Sequence, residues 1–177
     1  MTTVVRHRIY LASSWRNALY PDVLTALRAA GHEVYDFRAS GRTPTNIFDP
    51  KRTSWSLTDY AAALASPAAA QQFAADKTAL DACDVVVLLL PCGCDAHIEA
   101  GYARGRGTPV IVYLGEGFAP GLMHKLCDEF VADIPGLLAS LWRVAPRDAA
   151  ATGEVTPPAL RSRPLSRHAN TEVSDHG

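Results

Sequence analysis

No stretch of this chain is apolar for long enough to cross a bilayer: its most apolar run, Val85–Leu90, closes at Pro91. The N-terminus, MTTVVRHRIY, lacks the apolar core of a secretory signal before the first expected strand, which predicts a cytoplasmic protein with no membrane partner. Charge of one sign is also lacking. A net charge of -1 gives no long-range pull toward nucleic acid or an anionic surface. Cysteine is scarce, four in 177 residues, and without an export signal these read as reduced thiols rather than a disulfide framework. Cys92 and Cys94 form a C-x-C with no second pair, so no metal site is expected. A G-x-G-x-x-G fingerprint and internal repeats are absent as well.

What is present is an ordinary globular composition, 48% hydrophobic and 20% charged, at a length that suits one domain. Ile9–Ala12 reads as a first strand running into the polar loop Ser13–Asn17, and Pro21–Ala30 as a helix stopped by Gly31. Glu33–Phe37 is a short strand, and turn residues dominate from Arg38 to Thr58, a loop long enough to suggest a functional or mobile segment. Helical character returns over Thr58–Leu64 and Ala68–Cys83. The run Val85–Leu90 has the pattern of a strand buried on both faces. A turn over Cys92–Ala96, a helix over His97–Arg106 and a second buried strand over Pro109–Leu114 follow. Leu122–Cys127 looks helical, Glu129–Ala132 a last strand, and Ile134–Val144 a closing helix. Strands alternating with helices predict a doubly wound, flavodoxin-like parallel sheet of five strands with helices on both faces. Residues 1–144 make this domain. After Pro146 large apolar residues thin out, and 145–177 is expected to be a disordered tail.

In open sheets of this kind, ligands bind beyond the carboxyl ends of strands where the winding reverses. The loops after the first strand and after Leu90 should meet there, the second opening a helix whose N-terminus favours negative charge. Glu99 lies early in that helix and is either a carboxylate complementing the dipole or a functional acid. Asp76 is placed three residues after Phe73 and four before Leu80, so it should share the inward stripe, whereas Lys77 and Asp81 pair outward. An inward carboxylate needs a partner or a polar pocket. Tyr10, mid-strand, reads as core or as a catalytic hydroxyl. Ser13, Ser14 and Arg16 could hold a phosphate or sugar hydroxyl, or form a plain polar loop; Phe48 and Trp55 could stack on a base or pin the long loop. His97 reads as a helix-start hydrogen-bonding residue.

Taken together, Arg8-Ile-Tyr-Leu-Ala-Ser-Ser-Trp15, Asp76 and Asp84 eight residues apart, His97-Ile-Glu-Ala-Gly-Tyr-Ala103 and Gly107-Thr-Pro-Val110 resemble the nucleoside 2-deoxyribosyltransferase family and its nucleotide N-glycosidase relatives. The resemblance runs from Arg8 to about Trp142. It implies a flavodoxin-like homo-oligomer that needs no cofactor and cleaves the bond between a base and (deoxy)ribose in a small-molecule nucleoside or nucleotide. It places the nucleophile at Glu99, with Tyr10 orienting it, Asp76 acting on the base and Met123 near the sugar. Trp15 falls within the matching first-strand segment. The chain departs from the family at Gly121, where the transferases carry Asn, and at Gly93, where they carry Asp and the nucleotide hydrolases Ser; Asp95 stands nearby. Arg16 falls where the hydrolase loop has Arg.

The chemistry so implied divides labour as in retaining glycosidases. Glu99 would attack C1′ to form a glycosyl ester, Asp76 would protonate the departing base, and a second base or water would resolve the ester. A non-catalytic nucleotide-binding sensor on the same fold is the alternative, and a glycosidase acting on a dinucleotide such as NAD a third reading.

Overall fold

The alternation that period-2 side chains impose on a strand organises both layers of this protein. The structure, a computed structural model, describes residues 5–39, 47–49 and 51–145. The expected tail from 146 onward and much of the long loop lie outside the described residues. Five strands, β1 (Arg8–Ala12), β2 (Glu33–Tyr35), β3 (Val85–Leu89), β4 (Val110–Tyr113) and β5 (Glu129–Val131), form one parallel sheet in the order β2-β1-β3-β4-β5. This is the flavodoxin-like order, with its switch point between β1 and β3.

Ile9, Leu11, Val85, Val87, Leu89 and Ile111 turn to one face, where α1 (Tyr20–Ala29) and α5 (Ile134–Leu141) cover them with Val23, Leu27, Leu137 and Leu141. Tyr10, Ala12, Val86, Leu88, Val110 and Val112 turn to the other, under Leu80 of α3 (Pro67–Ala82) and Ala96, Ala100 and Ala103 of α4 (Cys94–Gly105). A shorter helix, α2 (Leu57–Leu64), precedes α3, and Leu122–Leu126 is a single 3₁₀ segment. Among the described residues no helix is long and apolar enough to cross a membrane.

Three expectations need correction. The turn after β3 is shorter than expected, because α4 begins at Cys94. Gly93, in extended backbone and with no side chain to offer, is its N-cap, so a capping side chain gave no signal. The strand after α1 stops at Tyr35 rather than Phe37. Phe73 does not share an inward stripe with Asp76: it is 67% exposed, and the alanine-rich α3 buries only Ala69 and Leu80.

Candidate active site

Register puts two tyrosines side by side. Tyr10 pairs with Tyr35 across β1 and β2, both rings lie toward α3 and α4, and they stack with centroids 5.5 Å apart. Each tyrosine hydroxyl then meets one acid. Tyr10 Oη donates to Glu99 Oε1 at 2.8 Å, and Tyr35 Oη donates to Asp76 Oδ1 at 2.8 Å. The acids come from the two helices that cover this face, Glu99 from α4 and Asp76 from α3. The Gln72 amide, one turn before Asp76, donates to both carboxylate oxygens, at 2.8 and 2.9 Å.

The acids share a cavity of about 260 Å³ with Asp95 in its wall, and Tyr10, Trp15, Phe37 and Phe48 supply aromatic surface. It lies at the carboxyl edge of the sheet, as the switch-point rule requires. The loops after β1 and β3 are tied together there. Ser13 Oγ donates to Leu89 O at 2.9 Å, and Asn17 Nδ2 donates to Pro91 O at 3.0 Å. The Leu90–Pro91 peptide is cis. Arg38 clamps the first loop from outside, donating to Ser14 O and Asn17 O while its guanidinium lies 4.1 Å over the Tyr20 ring.

Electrostatics single out Glu99. Burial pushes its carboxyl up to about 7; the Tyr10 hydrogen bond opposes this, and the neighbouring charges of Asp76 and Asp95 add to it. Burial, with the charge of Glu99 beside it, holds the Tyr10 phenol firmly protonated, so it is a donor throughout the working range. Burial also pushes the Cys92 thiol up to about 11, which removes it as a nucleophile.

The other candidates divide between the cavity wall and its surroundings. Ser13 lines the cavity, but its hydroxyl is spent on the Leu89 carbonyl. Ser14 accepts from the Arg16 amide, and Arg16 itself is exposed, outside the described cavity wall. Phe48 is in the wall; Trp55 packs edge-on behind it at 5.7 Å, under Arg52, and does not line the described cavity. Gly93 caps α4 beside open space. Met123 is 68% exposed on the 3₁₀ segment, outside the described wall. Asp84, quoted with Asp76 for its spacing, sits before β3 at the opposite end of the sheet, where it accepts the Arg8 amide at 2.7 Å and pairs with the Arg8 guanidinium at 3.0 Å.

His97 bonds at the helix start, as its position suggested. Its Nδ1–H donates to Gly93 O at 2.9 Å, which leaves Nε2 to accept from His124 Nε2–H at 3.1 Å. The stacked pair links the 3₁₀ segment to α4. His124, Tyr35, Gln72 and Arg38 all escaped the sequence reading. Only Gln72 carried a usable signal, being four residues before an inward acid. Among the described residues, no three His, Cys, Asp or Glu side chains are grouped to hold a metal ion.

No protein-family model matches the chain, and no curated protein matches it. Solved structures do. A 2-deoxyribosyltransferase from Bacillus psychrosaccharolyticus is similar over 80% of this chain and 98% of its own, with a TM-score of 0.55 and 19% identity. A CMP N-glycosidase from Clostridium botulinum (TM-score 0.45, 18% identity, 77% and 98% covered) and a conserved protein from Enterococcus faecalis V583 (0.45, 15%, 79% and 98%) also match. The chain has the fold of the Bacillus 2-deoxyribosyltransferase.

Proposed function

We propose that the chain cleaves or transfers the N-glycosidic bond of a (deoxy)nucleoside or nucleotide through a glycosyl ester on Glu99. The observation that carries this reading is the Tyr10–Glu99 pair opening on the cavity that Asp76 lines from the facing helix. A Glu99 oxygen attacks C1′ as the C1′–N bond breaks and its electron pair leaves with the base. A second base or water then attacks C1′ and frees the carboxylate. Three carboxylates around the cavity favour the positive charge that develops at an oxocarbenium-like C1′. Asp76 acts at the base. The fold shared with a 2-deoxyribosyltransferase supports the reading.

The working unit in this proposal is a homo-oligomer. Phe73 on α3, Ile98 on α4 and Leu122 and Met123 on the 3₁₀ segment present large apolar groups outward, and burying them against a second copy supports this reading.

The test is release or exchange of base from a panel of (deoxy)nucleosides and their monophosphates, with and without an acceptor base. Exchange without net loss identifies a transferase, and free base alone a hydrolase. Glu99→Ala should lose about two to four orders of magnitude in rate; activity within a few-fold of wild type would remove Glu99 from the mechanism. Tight binding with neither reaction would favour the sensor.

A further inference from the structure

Every hydrogen bond at Asp76 among the described residues runs into it. Tyr35 donates to Oδ1 from the edge strand, and the Gln72 amide donates to both oxygens from one turn earlier on α3. The orientation of that amide is informative. Turned about, Gln72 would set its carbonyl oxygen against two carboxylate oxygens, lone pair facing lone pair. Held as it is, its Oε1 is buried without a partner among the described residues, a penalty that the two donated bonds to Asp76 must outweigh. The surroundings are thus arranged for a carboxylate that accepts. A carboxylate has about four acceptor positions. Oδ1 takes two donors and Oδ2 one, so Oδ2 has capacity left for a ligand in the cavity that Asp76 lines.

We infer that Asp76 reads the base as a hydrogen-bond acceptor, so that the site takes nucleosides or nucleotides whose base presents an exocyclic amine to it, with Tyr35 and Gln72 as the positioning residues that fix this role. The inference deepens the N-glycosidic reading above and rests on it. It also replaces the proton-donor role that the resemblance and the comparison with retaining glycosidases implied for Asp76. A carboxylate accepting from an exocyclic amine pushes electron density into the ring and makes the conjugated ring nitrogen more basic. That nitrogen takes a proton from solvent water, the C1′–N electron pair departs with the base, and the base leaves neutral; the hydroxide left behind is neutralised by the proton that the attacking water or acceptor base gives up when the ester is resolved. Asp76 surrenders no proton at any point.

The experiment uses the full chain and nucleosides that differ by one amine: adenosine against purine riboside, and cytidine against its 4-deamino analogue, in ribose and 2-deoxyribose forms. Both base release and equilibrium binding are measured. The amine-bearing member of a pair should be preferred at least about tenfold. Tyr35→Phe should raise KM several-fold for that member and leave the amine-free member unmoved, whereas a merely structural role would raise both alike. Asp76→Asn, which turns an N–H toward the cavity in place of Oδ2, should shift preference from the 4-amino to the 4-oxo pyrimidine. Equal use of the paired substrates, or a preference unchanged by Asp76→Asn, overturns the inference while leaving N-glycosidic cleavage standing. If no nucleoside releases base, the cleavage reading fails, and the binding arm decides: a tenfold preference for the amine-bearing member upholds the acceptor role, and equal or absent binding overturns it.

Discussion

Two carboxylates in one cavity have different neighbours, and the roles proposed for them follow from that difference. Among the described residues Glu99 receives a single hydrogen bond, from Tyr10, against a burial penalty that lifts its carboxyl to about 7. In the proposed role of nucleophile it must be ionised, so kcat/KM should rise with pH through about 7 and level off above it. The donated bond favours the charged form. Removing it with Tyr10→Phe should therefore move that limb to higher pH. Asp95→Asn, which takes away a repelling charge, should move it lower. A pH–rate series on the two variants checks both signs, and shifts in the same direction would contradict this account of the site.

At the level of elements, the site depends on how closely the loops after β3 and β4 approach. Gly115 follows β4, and a Cβ there would come within 2.2 Å of the Leu90 carbonyl oxygen and 2.9 Å of Leu19 Cδ1. The carbonyl is backbone, just before the Pro91 turn, and cannot swing aside. Gly115→Ala should therefore destabilise the fold by about 1–3 kcal/mol, a fall in Tm of roughly several degrees at this chain length, measured by thermal melting. An unchanged melt would mean that the two loops are less tightly apposed than described. The elements themselves were legible where one period dominated. The run Val85–Leu90 announced a central strand, and Gly31 marked a helix end that the structure places at positive φ. Legibility failed where no side chain carried the signal, as at the glycine cap of α4, and where alanine blurred the stripe of α3, as at Phe73.

For the whole molecule, the sheet order followed from the alternation of strands and helices, but the partners within the cavity did not. Tyr35 meets Asp76 only because a three-residue edge strand pairs in a particular register with β1. No local pattern encodes that pairing, because it joins residues 41 positions apart. Outward apolar groups make the other whole-molecule feature. Phe73 and Ile98 are each about two-thirds exposed, on the adjacent helices α3 and α4. The purified chain should sediment well above its 19.0 kDa monomer mass, and Phe73→Glu should shift it toward the monomer at micromolar concentration. A wild-type monomer in sedimentation would end the oligomer proposal.

The two tyrosine–acid pairs are anchored with unequal tenacity. Tyr10 sits on an interior strand flanked on both sides, whereas Tyr35 is the last residue of a sheet margin paired along one side only. Margins fray before interiors. On gentle warming, amide deuterium uptake should therefore reach β2 ahead of β1, and Asp76 would lose its tyrosine while Glu99 still kept its own. Such a protein would grow indiscriminate about its base before it grew inactive.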